Sequence, residues 1–382
     1  MALAVTFEGA HVLRDGALDQ GCLSMAGGRI VDEVQPKHVD LTGYMVLPGI
    51  VDVHGDGFER HLAPRRGAMK QITEGLFAAE AECAANGITT AVLAQFYSWE
   101  GGVRGPEFAD KVFNGITEAR PLVATDLIPQ LRFEYNLLDH YADLPAKIAK
   151  WQVPYVVFND HLPHDRLAAG RRPAGLTGQA LKAARNPDDH FAMLLAMHAR
   201  KAEVPKALDA LCDTLLAAEV RLGSHDDPDA KTRAAWRARG VDIAEFPETL
   251  HAAEAAREGG DHLILGSPNV VRGGSHKGNA SALELIAFGL GDALASDYHY
   301  PSPRRAAFLL SDGGICDLPT AWGLLSSGPA RLLGLTDRGQ LDTGLRADLV
   351  VLHAGTRRVM ATIAKGEVTY MQGEVADRIL AA

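Results

Sequence analysis

Side chains that can bind metal ions follow apolar runs at six places in this chain. The first apolar run covers residues 46–53 and ends at His54, and Asp56 follows two residues later. Alternate residues of a strand point to the same face, so His54 and Asp56 can reach one ion together. Zinc, iron and manganese ions accept imidazole and carboxylate ligands. On this segment alone, a metal site and a buried polar pair at a strand end are equal alternatives.

The same arrangement recurs after later apolar runs. The residues at the ends of the third, fourth, fifth, sixth and eighth predicted strands are Arg132 and Glu134, His161, His225, Glu245, and Asp297 with His299. Taken singly, such a residue is more often an ordinary core or surface group. Their recurrence at the same end of six predicted strands favours a shared metal site, because barrel enzymes carry their active sites where the strands end.

Strands and helices must alternate to position these residues. We predict strands at 46–53, 92–95, 124–135, 155–159, 220–223, 241–246, 262–266 and 293–295. Helical patterns between them cover 69–86, 204–219, 249–258 and 280–290. This alternation predicts an α/β fold, a right-handed (β/α)8 barrel of the TIM type.

The two ends of the chain differ from this middle part. Residues 4–34 and 346–376 alternate apolar and polar residues around turns, as hairpins do. Because each sheet is too small to fold alone, we predict one composite β domain, a small β-sandwich, from 1–46 and 342–382 beside a barrel at 47–341. Residues 162–203 are predicted to be an insertion in the barrel. A lid over the active site and a simple surface excursion are the two alternatives for this segment.

Composition narrows the class of protein. The chain has 382 residues, 47% of them apolar, enough for one barrel and an appendage. No stretch approaches ~20 consecutive apolar residues, and the first residues lack a basic leader, so we expect no membrane span and no signal peptide. The four cysteines are scattered, which predicts a reduced, cytoplasmic setting. The net charge of -10 argues against general nucleic-acid binding but permits an anionic substrate.

Several segments resemble a known family. The run 47–54, the order of the strand-end residues and the tail 344–352 are similar to the amidohydrolase superfamily. More narrowly, the chain resembles the diphosphatases of the carbon–phosphorus lyase pathway of phosphonate metabolism, which cleave α-D-ribose 1-methylphosphonate 5-triphosphate. The segments that carry this resemblance are 54–65, 131–134, 224–227, 244–247, 267–276 and 296–298. The segment 160–166 departs from the turn expected after the fourth strand, which is compatible with a divergent member.

The resemblance implies a site with two divalent metal ions, zinc in the first place and iron or manganese as alternatives. The ligands that it implies are His54, Asp56, Glu134, His161, His225 and Asp297. Glu134 would bridge the ions, since no lysine stands at these strand ends. Glu245 would either hold a ligand histidine in place or serve as an alternative ligand, and His299 and His164 are further alternatives. Related barrels often dimerise, so a homodimer is compatible with the sequence.

A triphosphate needs positive charge beyond the metal ions, because two ions with three carboxylates and one hydroxide are together neutral. The candidate phosphate-binding residues are Arg60, His61, Arg65, Arg66, Arg132, Arg272, His276 and Lys277. Arginine binds two phosphate oxygens at once, and the loops after the seventh and eighth strands of barrels often hold phosphate. Ordinary solvated loops are the alternative for both basic segments.

The narrower resemblance predicts a hydrolase that releases pyrophosphate and leaves the 5-phosphate on the sugar. Water activated by the ions would attack the phosphorus, and Asp297 would take its proton as the catalytic base. Two alternatives stay open. One is an amidohydrolase that cleaves a C–N bond, as deacetylases, deaminases and cyclic amidases do. The other is a metal-free scaffold protein.

Overall fold

The computed structural model describes residues 2–63, 71–274 and 280–382. Its strands are β1 (Val5–Arg14), β2 (Ala17–Ala26), β3 (Arg29–Val31), β4 (His38–Asp40), β5 (Tyr44–Pro48), β6 (Ile50–Gly55), β7 (Ile88–Tyr97), β8 (Asp126–Glu134), β9 (Tyr155–Asn159), β10 (Arg221–His225), β11 (Ile243–Glu245), β12 (His262–Gly266), β13 (Ala293–Ala295), β14 (Leu349–His353), β15 (Val359–Ala364) and β16 (Glu367–Met371).

The α-helices lie mainly between the strands of the middle part. They are α1 (Glu59–Leu62), α2 (Ile72–Ala85), α3 (Pro106–Ala119), α4 (Leu144–Trp151), α5 (His164–Ala168), α6 (Leu176–Lys182), α7 (Pro187–Ala199), α8 (Val204–Ala217), α9 (Ala230–Arg237), α10 (Leu250–Glu258), α11 (Ser267–Arg272), α12 (Ala282–Ala287), α13 (Ser302–Asp312), α14 (Leu318–Gly323), α15 (Ser327–Leu332) and α16 (Gly373–Ala381). Short 3-10 turns lie at Gly102–Arg104, Arg120–Leu122 and Leu138–His140.

Both ends of the chain contribute to one sheet, as predicted. Its strand order is β16-β15-β14-β5-β1-β2-β3, and β4 pairs with β1. Most of these pairs are antiparallel, including β5 with β14, which joins the two chain ends. Phe7, Met25, Leu349 and Ile363 belong to the buried core of this sheet. The sheet is therefore stabilised by apolar residues from both ends.

The second sheet is the predicted barrel. Its eight strands follow one another from β6 to β13 in chain order, with parallel pairing. All residues of β6 and β7 are buried, as expected for parallel strands that are covered on both faces. A parallel bridge between Gly55 and Asp297 joins the last strand to the first. The fold is a nearly closed (β/α)8 barrel.

The predicted strands and observed strands agree in order and number within the barrel. The bounds at Tyr155–Asn159, His262–Gly266 and Ala293–Ala295 are the predicted ones. The prediction of one strand at 46–53 was wrong, because residues 44–48 are β5 of the terminal sheet and the barrel strand begins at Ile50. The separation occurs at Gly49, where a Cβ would come within 2.3 Å of Thr89 Oγ1. Hydrophobicity could not reveal this change of sheet, because both strands are rich in apolar residues and only Gly49 separates them.

The chain consists of two compact units. The terminal unit comprises Met1–Leu93, Glu118–Ile128 and His262–Ala382, and the central unit comprises Ala94–Thr117 and Pro129–Asp261. The segment 162–203 of the central unit carries α5, α6 and α7. Among the described residues, no helix combines the length and apolar character that crossing a bilayer requires. The domain bounds at 1–46 with 342–382 and at 47–341, and the lid role of 162–203, stay predictions.

Candidate functional site

Three predicted ligands converge in the terminal unit. His54 lies in β6, Asp56 follows that strand and Asp297 follows β13. One possible ligand atom from each residue lies within 4.8 Å of the others. His54 is buried, and the two carboxylates are half-buried. One imidazole and two carboxylates in this arrangement fit a divalent cation such as zinc, iron or manganese.

The backbone fixes this group of donors. Asp297 has a φ of 55°, which lies in the left-handed region that non-glycine residues seldom adopt. Its N–H donates to the carbonyl oxygen of His54 at 2.9 Å, and its own carbonyl oxygen accepts from the N–H groups of Asp56 at 2.9 Å and Gly57 at 3.3 Å. A residue keeps such an unfavourable backbone conformation only where contacts with the surrounding structure hold it in place. The ends of β6 and β13 therefore hold Asp56 and Asp297 next to each other.

A buried pair beside this group was missed by sequence reasoning. Ser296 donates to Asp52 through its backbone N–H at 2.8 Å and through its hydroxyl at 2.5 Å. Burial raises the pKa of Asp52 to about 7, although the hydrogen bonds from Ser296 lower it. The sequence contained one indication of this pair, because Asp52 is an acidic residue inside an otherwise apolar strand and therefore needs a hydrogen-bond partner. The pair ties β6 to β13 directly next to His54 and Asp297.

The central unit brings together two more predicted ligands. Glu134, the fully buried last residue of β8, accepts from the backbone N–H of His161 at 3.1 Å and also contacts His161 Nδ1. Burial lowers the pKa of His161, but the hydrogen bond and the negative charge of Glu134 outweigh it, and the pKa is raised overall. The predicted bridging role of Glu134 stays a prediction.

Arg132 contacts a third predicted ligand of the central unit. Its guanidinium donates to Nε2 of His225, the last residue of β10, over 3.0 Å. The guanidinium also lies over the Phe96 ring, 3.9 Å from the ring centroid. Phe96 and His225 thus position an arginine that we predicted as a phosphate contact.

Glu245 is the fully buried last residue of β11. Its Oε1 accepts from Gln130 Nε2 at 3.0 Å and from the Tyr155 hydroxyl at 2.7 Å. Burial and the charge of Glu245 raise the pKa of Tyr155 well above its usual range, so the phenol remains a donor. Sequence reasoning singled out Glu245 but missed both partners, although polar residues within buried strands are a usable signal.

Three predicted phosphate-binding residues lie around Tyr298 and Glu82. Arg60 donates to the backbone carbonyl of Tyr298 at 3.1 Å and pairs with Glu82. His61 Nε2 lies 2.6 Å from a Glu82 carboxylate oxygen. Arg272 donates to the Tyr298 hydroxyl at 2.7 Å. Tyr298, which is 45% exposed, therefore holds two arginines close to the residue that follows β13.

Two alternative ligands have other contacts. His299 Nδ1 lies 2.6 Å from the Ser302 hydroxyl. His164 contacts Asp160 at 3.0 Å and His198 at 2.7 Å. The remaining predicted residues, Arg65, Arg66, His276 and Lys277, lie outside the described residues.

Comparison with known proteins identifies the family. No family model matches the chain. The chain is 34% identical over 330 residues to the alpha-D-ribose 1-methylphosphonate 5-triphosphate diphosphatase of Escherichia coli (strain K12). The aligned region covers 83% of this chain and 85% of that protein. The chain belongs to this diphosphatase family. The family resemblance expected from the sequence is thereby confirmed, and the protein is a hydrolase.

Solved structures share the fold of this diphosphatase family member. Molinate hydrolase matches with a TM-score of 0.64 and 14% identity over 96% of this chain and 94% of that one. The beta-aspartyl dipeptidase of Fervidobacterium islandicum AW-1 matches with a TM-score of 0.64 and 11% identity over 97% and 99% of the two chains. At these identities the likeness concerns the fold alone.

Proposed function

We propose that this diphosphatase family member is a metal-dependent hydrolase of α-D-ribose 1-methylphosphonate 5-triphosphate or a close analogue. It releases pyrophosphate, leaves the 5-phosphate on the sugar and serves phosphonate metabolism in the cytoplasm. The observation that carries the proposal is the 34% identity over 83% of the chain to a diphosphatase with this substrate in its name. The convergence of His54, Asp56 and Asp297 supports it independently.

Two divalent metal ions, most simply zinc, complete the proposed site. Such ions lower the pKa of water from ~15.7 toward ~7 and polarise a phosphoryl oxygen. The residues proposed to hold them are His54, Asp56, Asp297, Glu134, His161 and His225. The donor chemistry of the first three, within 4.8 Å of one another, fits one such ion. Metal analysis of the purified protein distinguishes zinc from iron and manganese.

Asp297 is the proposed catalytic base. Its carboxylate takes the proton from the attacking water and later gives a proton to the leaving group. The backbone hydrogen bonds with His54 and Asp56 fix the main chain of Asp297 next to these two proposed ligands. This arrangement suits a group that must accept and return a proton at one place.

Arginines next to Asp297 are proposed to bind the phosphates. Arg60 and Arg272 are both anchored on Tyr298, one residue after Asp297. Anchored guanidinium groups bind phosphate oxygens with less loss of side-chain entropy and neutralise charge on the departing pyrophosphate. Arg132 is proposed to act similarly from the central unit. The contributions of Arg65, His276 and Lys277 stay predictions.

Replacement of Asp297 tests this function. In Asp297→Asn the carboxylate can no longer accept the proton, so we expect pyrophosphate release to fall by about 10²–10⁴-fold. Asp19→Asn, an exposed substitution on β2, is the matched control and should leave the rate unchanged. Metal content is measured on the same samples. Turnover close to that of the unaltered protein, with metal retained, would remove Asp297 from the mechanism.

A further inference from the structure

A cavity of about 290 Å³ lies within the central unit, and the proposed hydrolysis does not use it. Ser98 and Trp99 line it from the segment that follows β7, and residues 136–140 line it from the segment that follows β8. Helix α7 contributes Met193 and Met197. Its volume is close to the lower limit of small-molecule sites, which suits a ligand the size of one substituted ring.

Part of the cavity lining is apolar. Trp99, Leu138, Met193 and Met197 are among these apolar residues. Trp99 also belongs to a buried cluster with leucines of the segment 162–203, so this wall is packed from behind. Aromatic rings and thioethers offer polarizable surfaces that adapt to a flat apolar group.

The cavity lining also includes one cation, Arg185, that has no carboxylate partner in the part of the chain that the structure describes. The Arg200 charge is compensated, because Arg200 pairs with Asp139 at 2.7 Å. Burial and the charge of Lys147 lower the pKa of His140, so the neutral form of its ring is favoured. Arg185 instead donates to the backbone carbonyl of Trp99 at 2.5 Å and lies 3.4 Å from a His190 ring nitrogen. Among the described residues no carboxylate pairs with Arg185.

Trp99, one of the residues that line the cavity, has a donor without an acceptor among the described residues. Trp99 is 3% exposed, and its indole Nε1 is buried with no hydrogen-bond partner among the described residues. Buried N–H groups in native proteins nearly always have acceptors. A ligand that brings an anionic oxygen into this cavity would satisfy the indole and the Arg185 charge together.

The shape of the cavity next to Arg185 depends on the close approach of Gly101 to Ala183 and Arg185. Gly101 has a φ of 75°, and a Cβ at this residue would lie 2.9 Å from Ala183 Cβ and 3.2 Å from an Arg185 guanidinium nitrogen. A side chain would therefore displace Arg185. The segment after β7 thus holds the guanidinium close to Trp99, as expected for a formed binding site rather than a chance surface groove.

We propose that this cavity binds a small organic anion, with a flat apolar body and one carboxylate or phosphonate group. Arg185 and the Trp99 N–H bind the anionic group, and Met193, Met197 and Leu138 contact the body. The proposal is independent of the proposed hydrolysis, because none of these residues belongs to the metal or phosphate sites described above.

Calorimetric titration of the metal-loaded full chain with phenylphosphonate tests the proposal. We expect saturable binding, and binding of uncharged benzyl alcohol at least about tenfold weaker. Arg185→Gln and Trp99→Phe should each weaken phenylphosphonate binding at least about tenfold, because each removes one hydrogen bond to an anionic group. Arg185→Lys should retain part of the affinity. Arg171→Gln, an exposed arginine of the same segment, is the matched control and should bind normally.

The catalytic site could also bind a phosphonate, so Asp297→Asn is titrated in parallel. Unchanged binding by that variant, with loss in the two cavity variants, supports the proposal. Loss in Asp297→Asn with normal binding in the cavity variants overturns it and assigns the probe to the catalytic site. An absence of binding at millimolar concentration also overturns it. If Arg185→Gln unfolds, Trp99→Phe decides, because it removes the N–H and keeps an aromatic ring at this position.

Discussion

At the scale of single residues, the sequence His54-Gly-Asp56-Gly is explained by close packing as well as by ligand chemistry. A Cβ at Gly55 would lie 2.8 Å from Asp52 Oδ2 and 3.0 Å from Ser296 Oγ. A Cβ at Gly57 would lie 3.2 Å from an Arg60 guanidinium nitrogen. The two glycines therefore allow the buried Asp52–Ser296 pair and the Arg60 anchor to approach the metal-binding strand end.

Gly55→Ala tests this interpretation. The added methyl group must displace Asp52, Ser296 or the Tyr300 ring, which lies 3.0 Å from the Cβ position. We expect the free energy of unfolding to fall by about 1–3 kcal/mol, with a loss of hydrolysis, measured by denaturant titration and by a rate assay. Gly178→Ala in α6 is the control, because nothing lies within 4 Å of its Cβ position. That variant should be stabilised by about 0.4–1 kcal/mol. Equal stabilities for the two variants would refute the packing argument.

Single residues also show what sequence could reveal. His54 and Asp56 could be predicted because a two-residue spacing is visible within one strand. The partnership of Asp52 with Ser296 could not, because an acidic residue inside an apolar strand indicates that a partner is needed but does not identify one that lies 244 positions away. The role of Tyr298 as an anchor for Arg60 could not be predicted either. The contact is made through the backbone oxygen of Tyr298, which is independent of residue type.

At the scale of elements, one helix residue organises the end of β10. Arg233 in α9 is fully buried and donates to Ser224 Oγ at 2.9 Å and to Asp227 at 3.1 Å. It also donates to the carbonyl oxygen of Ile243 in β11 at 3.3 Å and lies 3.0 Å from Asp261. Arg233 thereby holds the segment that carries His225 against the neighbouring strand.

Arg233→Met should be strongly destabilising. Removing the guanidinium leaves the buried carboxylates of Asp227 and Asp261 without this partner, so we expect a loss of about 3–5 kcal/mol in the free energy of unfolding. Arg239→Met is the matched control in the segment just after α9, because its pair with Asp209 is solvent-exposed on one side and should contribute less than about 1 kcal/mol. Similar losses in both variants, measured by urea unfolding, would contradict this role.

Helix α2 carries a carboxyl group that makes stability depend on pH. Burial raises the pKa of Glu80 above the usual 4.5, although a hydrogen bond from Thr125 lowers it. Above pH 4.5 the unfolded chain releases this proton while the folded chain still holds it, so this group makes stability fall as pH rises through that window.

Glu80→Gln keeps an oxygen that can accept from the Thr125 hydroxyl and removes the ionisation. We expect the variant to be more stable than the unaltered chain at pH 7 and the gain to vanish at about pH 4. Glu118→Gln, an exposed substitution in α3, controls for the general change in net charge. A gain that is independent of pH, in thermal unfolding measured across this range, would contradict the assignment.

The elements of the barrel were largely predictable from the sequence. Strands buried on both faces are continuous apolar runs, and turn signals separate them, so all eight barrel strands could be placed. The end of β5 and the start of β6 could not, because both strands are apolar and only Gly49 separates them. The helix expected at 280–290 is shorter, Ala282–Ala287, because helix ends depend on tertiary packing.

At the scale of the whole molecule, a net charge of -10 must be reconciled with an anionic substrate. Local charge resolves this, because Arg272 lies on Tyr298 beside the proposed metal ligands and Arg132 donates to His225 in the central unit. The fold alone does not choose the reaction, since molinate hydrolase and a beta-aspartyl dipeptidase have similar barrels. The bond that is cleaved must therefore be measured directly, and the oligomeric state, including the predicted homodimer, needs a separate measurement.

The decisive measurement is phosphorus NMR of the products formed from α-D-ribose 1-methylphosphonate 5-triphosphate by the zinc-loaded protein. We expect pyrophosphate and the 5-phosphate in equal amounts, with turnover lost after chelation and restored by metal. An intact triphosphate, together with amine release from a parallel panel of N-acyl and cyclic amides, would contradict it and assign the site to C–N bond hydrolysis.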